Sequence, residues 1–215
     1  MAEIESFEPY HIGIKLQANV NLDILGNKLR RMFKEKGYEI SEKSVAQMNI
    51  PILSPRDVLA LKNGVRVEFN LPARALNTIG SEPVKVLRSF KEVVQTLSDL
   101  DYSLEATIGF YETVATIIVK SEKHPRQMIN NGVRINLESF EELGETVVDS
   151  LRIVNVEPTE EQGMIRLTIE PNPTSPNTRY LVKVQYRSLT PKGVESFQNE
   201  MEKRVLSLIS SIEGE

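Results

Sequence analysis

The sequence predicts an α+β protein in which an antiparallel or mixed β-sheet is covered by four amphipathic helices. Two observations favour this class. Four segments repeat apolar residues at three- and four-residue steps, and the segments between them alternate apolar and polar residues with a period of two. The composition agrees, because 40% apolar and 26% charged residues are ordinary values for a globular chain. We expect residues 1–215 to form a single globular unit.

Four apolar stripes define the predicted helices, and each stripe is one-sided, as in a helix that lies on a core. The first helix follows Asn21, a potential N-cap, and ends near Gly37. The other three are predicted to begin after Ser81, after Ser139 and at Thr190-Pro191. The stripes are Leu22, Leu25, Leu29, Met32 and Phe33; Leu87, Phe90, Val94 and Leu97; Phe140, Leu143, Val147 and Leu151; and Val194, Phe197, Met201, Val205, Leu208 and Ile212.

Strands are predicted wherever the alternation changes to a period of two. They are Tyr10–Leu16, Val58–Lys62, Val65–Leu71, Arg152–Val156, Met164–Glu170 and Arg179–Arg187, with Leu104–Lys120 as one long strand or a pair. Asn63-Gly64 predicts a two-residue type I′ hairpin turn. Asn131-Gly132 suggests a further hairpin before Val133-Arg134-Ile135.

The order strand, helix, strands, helix occurs twice, which suggests pseudo-repeats over residues 8–100 and 104–213. The first helix aligns without gaps on the third, so that Gly26 falls on Gly144 and Phe33 on Leu151. A glycine inside a helix costs about 1 kcal/mol relative to alanine. We therefore expect both glycines where a helix approaches the sheet closely. Any two amphipathic helices also align on their apolar stripes, so a chance match stays open.

The sequence contains no recognisable catalytic, phosphate-binding or metal-binding motif. It has no Cys, and its two histidines, His11 and His124, lack the spacing of paired metal ligands. The segment Asn77–Ser81 is the nearest to an anion-binding loop, and a plain capped helix start is the favoured interpretation. We predict no cofactor and no metal, and we favour a function without catalysis. An enzyme that lacks a known motif stays open.

Charged helix faces are the distinctive chemistry of the chain. The first helix is basic, with Lys28, Arg30, Arg31 and Lys34. On the third, the acidic residues at i, i+4 and i+8 would stack on one face; they are Glu141, Glu145 and Asp149. Such complementary faces can pair between subunits. We therefore predict an interaction or assembly module that recognises a macromolecular partner, a protein or a second copy of the chain, through charged helix faces and a sheet edge.

Two alternatives stay open. A curved sheet around the long last helix would enclose a cavity for a small apolar ligand, with Phe110, Tyr180, Phe197 and Met201 as candidate lining residues. The basic first helix would bind nucleic acid through its phosphates, although the net charge of −4 argues against nucleic acid. The acidic N-terminus does not resemble a signal peptide, and no apolar run is long enough to cross a membrane. We expect a cytoplasmic protein.

Overall fold

A computed structural model describes residues 2–40, 56–100, 104–132 and 146–214, and within them eight strands form one antiparallel sheet. The strands are β1 (Glu3–Leu16), β2 (Arg56–Lys62), β3 (Val65–Asn70), β4 (Ala75–Gly80), β5 (Ile108–Lys120), β6 (Leu151–Val154), β7 (Met164–Pro171) and β8 (Arg179–Ser188). The helices are α1 (Leu22–Glu35), α2 (Pro83–Asp99), α3 (Leu104–Thr107), α4 (Pro125–Gly132) and α5 (Pro191–Glu213). The predicted α+β class is confirmed.

The long helices pack on one face of this sheet, which we call the covered face. Along β8 the buried residues Tyr180, Val182 and Val184 alternate with the more exposed Leu181 and Lys183. Contacts join α1 to β2, α2 to β1 and β4, and α5 to β5 and β8. The apolar core therefore lies between the covered face and the helices, and the alternate residues of each strand point to the opposite face, the second face.

The two halves of the sheet have the same topology. Within the described residues, the first half runs β1-α1-β2-β3-β4-α2 and, after the short α3, the second runs β5-α4-β6-β7-β8-α5. The strand order β2-β3-β4-β1-β5-β8-β7-β6 places β1 beside β5 at the centre. Ile12 of β1 pairs with Thr113 of β5. On their other sides, Ile12 pairs with Thr78 of β4, and Thr113 pairs with Tyr186 of β8. The strand pairing is therefore symmetric about the Ile12–Thr113 pair.

Several predicted helix ends are confirmed. The Asn21 side chain accepts hydrogen bonds from the backbone N–H groups of Asp23 and Ile24, each at 3.1 Å. The Thr190 hydroxyl accepts one from Gly193 N at 3.1 Å. Gly26 does lie where a helix approaches the sheet, because a Cβ added there would stand 3.3 Å from the Phe69 ring of β3.

Other element predictions are wrong. Asn131-Gly132 ends α4 and is not a hairpin turn, since Pro125 starts a helix that continues to Gly132. Residues 146–150 are irregular and Leu151 begins β6, so the third predicted helix does not reach Leu151. The gapless alignment fails at its last position, because it matches Phe33 of a helix to Leu151 of a strand. Residues 133–145, including Gly144, lie outside the described ranges.

Three further differences concern the starts of elements. β1 begins at Glu3, earlier than predicted. Ala75–Gly80 forms β4, so the segment considered as an anion-binding loop is largely a strand, and Glu82 is the N-cap of α2 in place of Ser81. The stretch 104–120 divides into the short α3 and one strand, β5.

Polar side chains join the two long helices at the centre of the molecule. The Tyr10 hydroxyl of β1 donates a hydrogen bond to Gln198 Oε1 of α5. Gln198 Nε2 in turn donates to the Pro83 carbonyl of α2 at 2.9 Å. An ion pair of 2.7 Å between Lys91 and Glu195 links the same two helices. The two halves are therefore connected through helices as well as through the β1–β5 pair.

Candidate binding groove

A groove with a volume of about 1110 Å³ opens between the first half of α5 and the loop that joins β6 to β7. It adjoins the β6 edge of the sheet. Its lining combines apolar, polar and charged side chains, which are Asn155, Val156, Glu160, Glu161, Gln162, Ile165, Tyr186, Leu189, Thr190, Lys192, Gly193, Ser196, Phe197, Glu200 and Arg204.

Local hydrogen bonds hold the β6–β7 loop beside the helix. Asn155 Nδ2 donates to the Gly163 carbonyl at 2.7 Å, and Asn155 Oδ1 accepts from Ile165 N at 2.9 Å. Gly163 has a φ of +66°, and a Cβ there would collide with the Arg187 backbone, so a glycine is required at this turn. The wall opposite α5 is thus fixed by the sequence of the loop.

Aromatic rings form the floor of the groove, and aliphatic side chains form part of its rim. The rings of Tyr186 and Phe197 stack with centroids 4.1 Å apart and planes within 5°. On the rim, Val156 is 84% exposed and Leu189 is 53% exposed. Apolar side chains of this size that converge on a concave surface are typical of binding sites.

Charges on the rim are mostly acidic on the loop side. Glu160 and Glu161 are exposed on the β6–β7 loop, and Lys192 faces them from the start of α5. Glu200 accepts hydrogen bonds from the guanidinium of Arg204, one helical turn later. Burial raises the pKa of Tyr186, whose hydroxyl donates to the Gln162 carbonyl at 3.2 Å. That hydroxyl stays protonated at neutral pH and acts as a fixed donor.

A smaller cleft of about 260 Å³ lies at the equivalent place in the first half, between the β2–β3 hairpin and α2. Tyr38 forms one wall of it and is only 5% exposed. Its hydroxyl lies 3.0 Å from Ser89 Oγ and donates to Glu92 Oε2 at 2.9 Å. Lys62 Nζ stands 4.7 Å from the centre of the Tyr38 ring.

The helix sides of the two clefts match position by position. Both helices begin with a proline, Pro83 in α2 and Pro191 in α5, and aligning these prolines superimposes the two sequences. The four α2 residues of the small cleft, Lys85, Arg88, Ser89 and Glu92, then fall on four α5 residues of the groove, Gly193, Ser196, Phe197 and Glu200. The groove and the small cleft are therefore counterparts in the two halves.

The structure keeps part of the predicted basic face on α1. Lys28, Arg31 and Lys34 are exposed there. The Arg30 side chain instead turns to the sheet and pairs with Asp57 of β2, because it lies beside the buried stripe of the helix. Arg30 therefore does not belong to the outer basic face.

The predicted acidic face is not formed as expected. Asp149 lies in the irregular segment before β6, where it accepts a hydrogen bond from Arg126 Nε at 3.0 Å. It therefore cannot complete an i, i+4, i+8 row on a helix. Glu141 and Glu145, the other two members, lie outside the described residues.

The four candidate cavity residues do not line one cavity. Tyr180 and Met201 are buried in the core of the covered face, where the Tyr180 hydroxyl donates to Glu213 Oε1 at 3.2 Å. Phe110 lies on the second face, 4.7 Å below the Arg187 guanidinium. Of the four, Phe197 alone reaches the groove.

The second face concentrates positive charge, which the sequence reasoning missed. The described strands place more cationic than acidic side chains at positions on this face. The cations are Lys15, Arg66, Lys120, Arg152, Arg166, Arg179, Lys183 and Arg187, and the acids are Glu3, Glu68, Glu112 and Glu170, with Glu5 and Glu8 in the bulges of β1. The positive charge was predictable in part, because the alternate positions of the β7 and β8 sequences that point to this face include several Lys and Arg residues. Several of the cations form ion pairs, among them Arg187 with Glu112 at 2.5 Å.

Within residues 2–40, 56–100, 104–132 and 146–214, no group of three or more His, Asp or Glu side chains is arranged to hold a metal ion. No helix within these ranges combines the length and the apolar character needed to span a bilayer.

Comparison with known proteins gives little further information. No protein-family model and no curated protein sequence matches the chain. Among solved structures, Methanococcus jannaschii TBP is similar at 13% sequence identity over 98% of this chain and 97% of that chain, with a TM-score of 0.29. A TM-score this low does not establish a common fold, so the likeness says nothing about the function of this chain.

Proposed function

We propose that this chain is an interaction module that acts by binding a partner polypeptide in the groove between α5 and the β6–β7 loop. The observation that carries the proposal is the convergence of exposed Val156 and Leu189 on a concave surface floored by Tyr186 and Phe197. Burying such side chains against a partner removes apolar surface from water, which favours association. The acidic loop adds a preference for a partner with positive charge.

Charge substitution on the rim tests this proposal. The double variant Val156→Glu, Leu189→Glu places two carboxylates at the mouth of the groove without altering the core. The tagged full-length chain is used for capture from cells of the source organism, followed by mass spectrometry. We expect that at least one protein captured by the unmodified chain is lost, by tenfold or more, with the double variant.

The matched control is Val84→Glu, because Val84 is 72% exposed at the start of α2 and does not line the groove. This variant should retain the same partner. If every captured protein binds the double variant as well as it binds the control, the groove is not the binding site and the proposal is wrong.

Nucleic acid is a second candidate partner, and the excess of cations on the second face favours it. Arg166 and Lys183 lie on adjacent strands of this face. Cations that neutralise phosphates release counterions, so binding should weaken steeply with salt. The basic face of α1 is the competing site, as the sequence suggested.

Fluorescence anisotropy separates these two sites. A labelled 20-base-pair DNA and a single-stranded RNA of 20 nucleotides are titrated at low and moderate salt. If the second face binds, Arg166→Glu with Lys183→Glu should weaken binding about tenfold or more, and Arg31→Glu with Lys34→Glu should change it little. The reverse result assigns binding to α1, and no salt-dependent binding by the unmodified chain excludes this candidate.

A further inference from the structure

The small cleft of the first half shows how this fold holds a phenol ring. Tyr38 inserts between the β2–β3 hairpin and α2, with its ring centroid 5.0 Å from that of Phe33. Its hydroxyl bonds to Ser89 and Glu92, as described above, and Lys62 lies over the ring. The cleft therefore provides an apolar wall, a carboxylate acceptor and a cation for one tyrosine side chain.

The groove repeats part of this arrangement at the corresponding positions of α5. Glu200 takes the place of Glu92, and Phe197 takes the place of Ser89. The stacked Tyr186 and Phe197 rings are 6% and 7% exposed, and a further ring can pack on the part of them that faces the groove. The groove, at about 1110 Å³, has room for such a ring.

The two elements opposite the helices carry opposite charges. The hairpin beside the small cleft contributes Lys62, whereas the β6–β7 loop beside the groove contributes Glu160 and Glu161, and the α5 side of the groove adds Lys192, Glu200 and Arg204. A ring bound in the groove would therefore meet carboxylates on the loop side of the rim. A positive charge close to the ring on the partner would complement them.

We infer that the groove binds an aromatic side chain of a partner polypeptide, carried next to a lysine or arginine in that partner. The inference rests on the proposed function and adds the chemistry of the residue that is recognised. The ring packs on Tyr186 and Phe197, and a tyrosine hydroxyl donates to the Glu200 carboxylate as Tyr38 donates to Glu92.

Small probes of defined chemistry test the inference without knowledge of the partner. The full ¹⁵N-labelled chain is titrated by NMR with p-cresol, with toluene and with 3-methyl-1-butanol, an aliphatic alcohol. We expect p-cresol to cause saturable shifts confined to groove amides, such as those of Gly193 and Ser196, and to bind at least fivefold more tightly than the aliphatic alcohol. The Val156→Glu, Leu189→Glu variant should weaken p-cresol binding, whereas Val84→Glu should not.

Glu200→Ala tests the hydroxyl contact separately, because Glu200 is exposed and its loss leaves the fold intact. This variant should reduce the preference for p-cresol over toluene about tenfold or more, as expected for a lost hydrogen bond to a charged group. The inference is wrong if p-cresol gives no localised shifts, or if the aliphatic alcohol binds as tightly. Neither result contradicts the proposed function if the capture experiment still finds a partner whose binding is lost with the Val156→Glu, Leu189→Glu variant.

Discussion

Gln198 connects three parts of the molecule through one side chain. It accepts a hydrogen bond from the Tyr10 hydroxyl of the central strand and donates one to the Pro83 carbonyl at the start of α2. Burial raises the pKa of Tyr10, so the hydroxyl remains a donor at any physiological pH. No sequence pattern pointed to this contact, because Tyr10 and Gln198 lie at opposite ends of the chain and polar residues carry no periodic signal inside a core.

Tyr10→Phe should destabilise the protein by about 1–3 kcal/mol, because it leaves the buried Gln198 oxygen without a donor. Urea unfolding followed by circular dichroism measures the change. Tyr111→Phe is the control: Tyr111 is only 3% exposed, and no hydrogen bond joins its hydroxyl to another described residue. A loss of stability as large in the control would show that the hydrogen bond is not the cause.

Among the helices, strands and turns, the sequence correctly predicted those that a strong local pattern of residues specifies. Asn63-Gly64 lies between two alternating runs and forms the expected hairpin, with both residues at positive φ. Asn131-Gly132 carries the same dipeptide but follows Met128 and Ile129, which pack as part of the helix that Pro125 begins. The dipeptide alone is therefore ambiguous, and the spacing of the apolar residues before it decides between turn and helix end.

The third predicted helix shows a second limit of periodicity. Val147 and Leu151 continue an apolar stripe of helical spacing, yet Leu151 is paired with Ile169 in the sheet. The alternation predicted a strand only from Arg152, so the helical stripe included Leu151, the first residue of β6. The groove was not predictable for a related reason, since its lining comes from β8, α5 and a loop that only the fold brings together.

The end of α5 is anchored by a buried carboxylate. Glu213 Oε1 accepts hydrogen bonds from the hydroxyls of Ser121 and Tyr180. Glu213→Ala would leave both buried donors unpaired, so we expect a loss of about 2 kcal/mol and faster hydrogen exchange in the last turns of α5. The control is Glu202→Ala, an exposed residue of the same helix. Unchanged exchange in Glu213→Ala would mean that the apolar stripe alone holds the helix end.

For the whole molecule, we propose that residues 8–100 and 104–213 are two copies of one unit. The shared element order, the symmetric strand pairing and the matching prolines of α2 and α5 support this proposal. The gapless helix alignment in the sequence does not support this proposal, because Leu151, which it matches to Phe33 of α1, begins a strand. The two units correspond in strand register and helix position, which can be kept while the side chains diverge.

Alkaline pH should unfold the protein, since burial raises the pKa of five tyrosines, Tyr10, Tyr38, Tyr111, Tyr180 and Tyr186. In the unfolded chain these hydroxyls ionise near pH 10. Stability is therefore complete below about pH 10 and falls as the pH rises above it, because only the unfolded state then releases protons. Absorbance at 295 nm should show most of the tyrosine ionising together with the loss of circular dichroism. Ionisation of all tyrosines near pH 10 in the folded protein would contradict this expectation.

The central position of β1 also has a consequence for how the chain folds. Its neighbours in the sheet are β4 and β5, so the strand made first has no partner until residues beyond 74 have been synthesised, and its second neighbour is complete only at residue 120. Long-range pairing of this kind slows folding. A nascent chain stalled before β5 would expose one edge of β1, and chaperone binding should be strongest at that stage of translation.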